Sequence, residues 1–122
     1  MGLTTISVLF AIRESLQGGW LNSDSVTWFE DYARVCFREF GDLVKMWATF
    51  NEPWIVSMSG YGEGYFPPGA QNDQSIGTDV YTVTHNLIKS HARAYRMYHD
   101  EFAPTQNGNC HEVKLMKIIV IC

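Results

Sequence analysis

Pro53 limits what this chain can become more than any other residue, because it closes one pattern and opens another. It follows residues 44–50 (Val-Lys-Met-Trp-Ala-Thr-Phe), a run rich in β-branched and aromatic types that predicts a strand. Proline has no N–H to donate, so no helix runs through this point, and Glu52 before it is pushed toward an extended backbone. A helical pattern lies on each side. Upstream, Val26, Phe29, Ala33, Cys36, Phe37 and Phe40 recur at helical spacing, with Glu30, Asp31, Arg34 and Arg38 on other faces. Ser23 or Asp24 can cap that helix, and Gly41 can supply a left-handed residue after its end. Downstream, a second helix is predicted over residues 79–102, with Val80, Val83, Leu87, His91, Ala94 and Tyr98 as its core stripe. Thr78 can cap it, and Pro104 lies just past its end. Residues 57–77, dense in Gly, Pro, Asn and Asp, read as loop. The apolar runs 6–12 and 115–122 read as further strands. Helix, strand, loop, helix, strand is the alternation that builds parallel α/β sheets with right-handed crossovers.

Composition narrows the function. The chain has 122 residues, 46% of them hydrophobic, enough for one domain with a core and too apolar for a disordered chain. Nine Lys and Arg against 13 Asp and Glu leave a net charge of −4 with no block of like charges, which argues against a nucleic-acid groove or an anionic membrane surface. No apolar run approaches the roughly 18 residues of a membrane span. Cys36, Cys110 and Cys122 are an odd set without Cys-x-x-Cys spacing, so neither a disulfide framework nor a zinc site is expected. His85, His91 and His99 share a helix, but no two are three or four residues apart, so packing roles are expected rather than metal ligation. The flanks of residues 6–12 are wrong for a signal peptide, and no Asn-x-Ser/Thr sequon occurs, so nothing demands secretion.

The chemistry concentrates in Thr49-Phe50-Asn51-Glu52-Pro53-Trp54. An amide and a carboxyl stand side by side just beyond a strand, and the C-terminal ends of parallel strands are where active sites collect. Residue physics leaves two readings open. Trp47, Phe50 and Trp54 can desolvate Glu52 and raise its pKa toward that of a general acid. Alternatively, Glu52 is a strand-end carboxylate in solvent beside a capping Asn, which is the commoner arrangement.

Those six residues resemble the acid/base motif of glycoside hydrolase family 1, the β-glucosidase, lactase and klotho-like family. The likeness extends in order along the chain. Leu16-Gln17-Gly18-Gly19-Trp20-Leu21-Asn22 resembles the family segment after barrel strand 3, and residues 32–42 resemble its helix 3. Gly60-Tyr61-Gly62-Glu63-Gly64 with Pro67-Pro68-Gly69 resembles the loop over the entrance, and residues 85–94 resemble helix 4. The resemblance covers residues 14–108 as a partial barrel segment, with 1–13 and 109–122 as divergent ends. It implies a piece of a (β/α)8 TIM barrel around strand 4 with its flanking helices. A complete barrel takes about 250 residues, so these residues cannot close one.

By that resemblance Glu52 is the general acid/base of a retaining β-glycosidase, and Asn51 hydrogen-bonds the sugar 2-hydroxyl. Trp20, Tyr61, Tyr65 and Phe66 are either sugar-stacking platforms or core aromatics, with Tyr61 and Tyr65 the candidates for the aglycone side, and Glu63 is expected as an exposed loop acid. The expected substrate is a small β-glycoside or oligosaccharide, with neither metal nor organic cofactor. Retention requires a second carboxylate about 5–5.5 Å from the first. The family's Thr-Glu-Asn-Gly nucleophile motif is absent from this sequence, as is its His-Trp-Asp pattern before Glu14. The expectation is a truncated product of a longer enzyme, inactive alone and prone to self-association through unpaired barrel edges. The alternative is a non-catalytic klotho-like binding protein or a truncated isoform without function.

Overall fold

The computed structural model describes residues 4–5, 17–44, 47–72 and 74–106. The elements are β1 (Thr4–Thr5), α1 (Ser25–Phe40), β2 (Trp47–Ala48), α2 (Pro53–Ser57), α3 (Ile76–Met97) and α4 (Ala103–Gln106). A short 3-10 turn, Gly19–Leu21, precedes α1, and π-helical turns occupy Met58–Gly62 and Tyr98–Phe102. β1 and β2 pair in parallel, Thr4 opposite Trp47 and Thr5 opposite Ala48. The described residues are mostly helical and close no barrel. The predicted strands at residues 6–12 and 115–122 lie outside the described residues.

The core sits where α1 and α3 cross behind β2. Phe29, Ala33, Cys36 and Phe37 of α1 meet Val83, Leu87, Ala94 and Met97 of α3, all buried. Ala33, Ala94, Ser25 and Ser90 are fully buried small residues, which lets the two helices approach closely. Aromatic side chains then join helices to strand. Phe37 meets the Trp47 ring edge-on at 5.1 Å and Tyr98 at 4.9 Å, while Phe29 stacks on Phe50 at 4.5 Å. Such pairs add about 0.5–1.5 kcal/mol each beyond their buried area.

The predicted helix is present over residues 25–40. Of the strand predicted over residues 44–50, Trp47–Ala48 form the parallel ladder, Val44, Thr49 and Phe50 lie outside it, and residues 45–46 are not among the described ones. The other differences have local causes. Phe40, placed on the core stripe, is 51% exposed, because α1 ends there and the chain turns away. Asp24 stands at the N-cap of α1 but its side chain caps nothing; instead Asn22 Oδ1 accepts the Asp24 N–H at 2.9 Å. Gly41 is right-handed (φ −63°), not left-handed. Its missing Cβ serves space: the Gln106 side chain fills that position and donates to the Phe37 carbonyl at 2.8 Å. The second helix begins at Ile76 rather than 79, with Ser75 at its N-cap and Thr78 inside it. It gives way at Tyr98 to a π-helical turn, and Pro104 falls within α4, near its start, where a missing N–H costs little.

The largest departure is in residues 57–77, expected as loop. Pro53 initiates a helix instead of only preventing one, since its fixed φ suits the first helical position. Ser57 Oγ donates to the Pro53 and Trp54 carbonyls at 3.0 and 3.1 Å, and the chain widens into the turn at Met58–Gly62. These two short elements carry too few periods for a sequence pattern to register.

Phe37, fully buried among three aromatic neighbours, should be the most sensitive core position. Phe37→Ala is expected to cost about 3–5 kcal/mol, whereas Phe40→Ser should stay within about 0.5 kcal/mol. Denaturant unfolding of both variants measures the contrast.

Candidate functional site

The strand leaves β2 through Thr49 and Phe50, both buried, and enters α2 at Pro53, also buried. Between them Asn51 and Glu52 are exposed. Glu52 has φ 45° and ψ 60°, and is the single non-glycine residue with positive φ among the described residues. Left-handed backbone is rare for a residue with a Cβ, and it costs of order 1–3 kcal/mol that the surroundings must hold. Glu52 was expected to be extended, as residues before proline usually are. The override is visible in the hydrogen bonds: its carbonyl accepts Ile55 N–H at 2.8 Å and Val56 N–H at 3.1 Å, which starts α2. The corner thus turns the chain from strand to helix within two residues and leaves both side chains outward.

The expected aromatic shielding of Glu52 is not provided by these residues. Trp47 and Phe50 are buried in the core, and Trp54 is 67% exposed. Glu52 is open to solvent here. What the aromatics do is anchor the corner: Phe50 stacks on Phe29 and meets Trp20 edge-on at 5.3 Å. Thr49 is held from α3, its hydroxyl 3.2 Å from Nδ1 of His91.

Tyr61 is a packing residue rather than a sugar platform. It is 2% exposed, and its hydroxyl accepts the Trp20 N–H at 2.9 Å. Asn86 Nδ2 donates to the Trp20 carbonyl at 2.8 Å, so both backbone groups of Trp20 are pinned by buried side chains. Trp20 itself is 5% exposed and belongs to the core. Tyr65 at 81% and Phe66 at 55% remain open. Glu63 is exposed and accepts the Ser59 hydroxyl at 3.1 Å. The histidines separate by role: His85 is exposed and stacks on Tyr81, His99 is half-buried beside Tyr95, and His91 reaches Thr49. Cys36 is a buried free thiol; burial pushes its pKa up and, with the Cys36 contact, raises that of Tyr32 to about 12. Among the described residues no cluster of three His, Cys, Asp or Glu could hold a metal ion, and no helix is long and apolar enough to cross a membrane.

Sequence reasoning missed the tie between Thr49 and His91. Its trace was present: a histidine in the centre of an otherwise apolar stripe must find a polar partner when buried.

A parallel strand pair, two long helices and a strand-end carboxylate define a segment of a parallel α/β protein. The chain belongs to Glycosyl hydrolase family 1, whose profile matches residues 9–118. It is 41% identical over 112 residues to lactase/phlorizin hydrolase of Homo sapiens, covering 88% of this chain and 6% of that protein. To klotho of Rattus norvegicus it is 43% identical over 91 residues, covering 75% of this chain and 9% of that one. Among solved structures, a rice β-glucosidase superposes with a TM-score of 0.72 at 41% identity, covering 78% of this chain and 22% of its own. The β-glucosidases of this family are TIM barrels, and the chain spans a small part of the length of the relatives it matches.

His91 makes the fold acid-sensitive. Burial holds its pKa below the ordinary 6.5, so the folded chain resists protonation that the unfolded chain accepts. The unfolded state then binds more protons below about pH 6.5, and stability falls as pH drops through that value. Unfolding midpoints between about pH 7.5 and 5 should decline, and His91→Asn should flatten the decline.

Proposed function

We propose that this chain carries the acid/base segment of a retaining β-glycosidase, the part of the barrel around strand 4 with its flanking helices. In this reading β2 belongs to strand 4, and α1 and α3 are the helices on either side. The observation that carries it is the exposed Asn51-Glu52 pair on a left-handed corner at the C-terminal end of a parallel strand. The named activities of relatives, a lactase and a β-glucosidase, support small β-glucosides or β-galactosides and their oligosaccharides as substrates.

The chemistry follows from two groups. Glu52, protonated, gives its proton to the glycosidic oxygen as the bond to the anomeric carbon breaks. A second carboxylate takes that carbon and forms the glycosyl-enzyme. Glu52, now ionised, removes a proton from water, whose oxygen attacks the anomeric carbon and releases the sugar and the nucleophile. The Asn51 amide donates to the sugar 2-hydroxyl, a bond that strengthens as the ring becomes oxocarbenium-like and so favours the transition state. Tyr65, exposed beyond the corner, stands on the aglycone side. No step calls for a metal or an organic cofactor. Desolvation of Glu52, which these residues do not supply, falls to a complete barrel and a bound substrate.

The nucleophile motif is missing from the 122 residues, so these residues alone hold half of the carboxylate pair. They should not hydrolyse an aryl β-glucoside. Grafted into a complete family 1 barrel in place of the matching segment, they should. There, Glu52→Gln should slow glycosylation by a poor alkyl leaving group about 100-fold or more, and by dinitrophenol far less, since that group departs without protonation. Equal slowing of both would refute the acid/base role.

The isolated chain should also self-associate. Among the described residues the ladder has two strands, whose outer edges find no partner there, and Leu43 (82%) and Ile88 (57%) expose apolar surface. Sedimentation at micromolar concentration should show species above 13.9 kDa; a single monomer would contradict it.

A further inference from the structure

The corner at Glu52 holds an uncommon backbone conformation, so something must prevent its relaxation. Proline at the next position favours an extended Glu52, and relaxation to that state would swing the carbonyl away from the Ile55 and Val56 amides. The helix side supplies the two amide bonds and the buried Pro53; a further restraint lies on the strand side, where two consecutive residues are gripped by different helices. Phe50 is held by Phe29 of α1 through ring stacking at 4.5 Å. Thr49 is held by His91 of α3 through a hydrogen bond at 3.2 Å, across 42 residues of sequence. Ring stacking fixes a plane but allows sliding; a hydrogen bond between a buried hydroxyl and a ring nitrogen fixes a distance and a direction. Thr49 is 2% exposed, so loss of this partner leaves it a polar group without water to compensate.

We infer that His91 is a positioning residue: through the Thr49 hydroxyl it fixes the strand end that keeps Glu52 in its left-handed corner with its carboxyl outward. The inference rests on the acid/base reading of Glu52 for its functional meaning, not for its structural content. His91 sits in the stripe between Leu87 and Ala94, both buried, with the Tyr95 ring 6.1 Å away. The surrounding core therefore leaves the imidazole little freedom, and α3 transmits its own rigidity to the corner. His91 touches no reacting atom. Its contribution is the orientation of a carboxyl three residues beyond the group it binds.

The test uses the 122-residue chain and amide hydrogen exchange by NMR. Ile55 and Val56 donate to the Glu52 carbonyl, so their protection reads the corner directly, while amides inside α1 read global stability. Thr49→Val and His91→Phe should each speed exchange at Ile55 and Val56 about tenfold beyond any change in α1. The double variant should go no further than either single one, and Thr49→Ser should retain protection. Uniform acceleration of all amides, loss of α1 protection, or unchanged exchange at the corner would each overturn the inference, assigning the bond to general stability alone. In the grafted barrel, Thr49→Val should lower kcat for an alkyl glucoside more than for the dinitrophenyl substrate, with KM unchanged. An equal loss on both would also overturn it. Failure of the acid/base reading would show in the Glu52→Gln comparison and leave the exchange result standing.

Discussion

Stacking of Phe50 on Phe29 carries the strand end onto the first long helix, and most of the remaining order follows from that contact. Phe29 and Phe37 lie on one face of α1 and present rings to Phe50 and Trp47, so one helix face meets the strand at two points. α3 closes over the same face with small residues at the crossing and larger ones beside it. Trp20 completes the wall, its ring against Phe50 and its backbone pinned by Tyr61 and Asn86. Burial of these aromatics repays the strain at Glu52, since relaxing the corner would disturb the position of Phe50.

The result is a division of labour between adjacent residues. Thr49, Phe50 and Pro53 are buried and hold the chain; Asn51 and Glu52 are exposed and face outward. A site residue gains precision when its neighbours are locked by packing rather than when it is itself restrained. The π-helical turn at Met58–Gly62 extends the same logic downstream, because it carries Tyr61 back into the core while Tyr65 stays open. Two tyrosines four residues apart thereby receive opposite roles.

Much of this was legible in the residues. The α1 stripe has a clean helical period, and every position that the period picks out is buried apart from Phe40 at the helix end. The strand announces itself through β-branched and aromatic residues closed by Pro53. The site is legible through its motif: the Thr49–Trp54 run and its ordered companions point to the family that the profile match establishes. What stayed hidden depends on contacts far apart in sequence. The left-handed Glu52 contradicts the local preference before proline and exists because Thr49 and Phe50 are tied to helices tens of residues away. Gly41 looks like a helix terminator, and only the arrival of Gln106 shows that it clears space. Tyr61 has the composition of a stacking residue and is identified as core only by the partner of its hydroxyl. α2 and the turn after it are shorter than the period that would reveal them.

The account stands on the conformation of Glu52, and NMR of the labelled chain reads it most directly. A left-handed residue brings its amide and Hα protons close, so Glu52 should show a strong intraresidue NOE between them, with slow exchange at Ile55. A weak intraresidue NOE, together with a strong sequential contact between the Glu52 Hα and the Pro53 Hδ protons and fast exchange at Ile55, would mean an ordinary extended pre-proline residue. The corner that presents the carboxyl would then not exist.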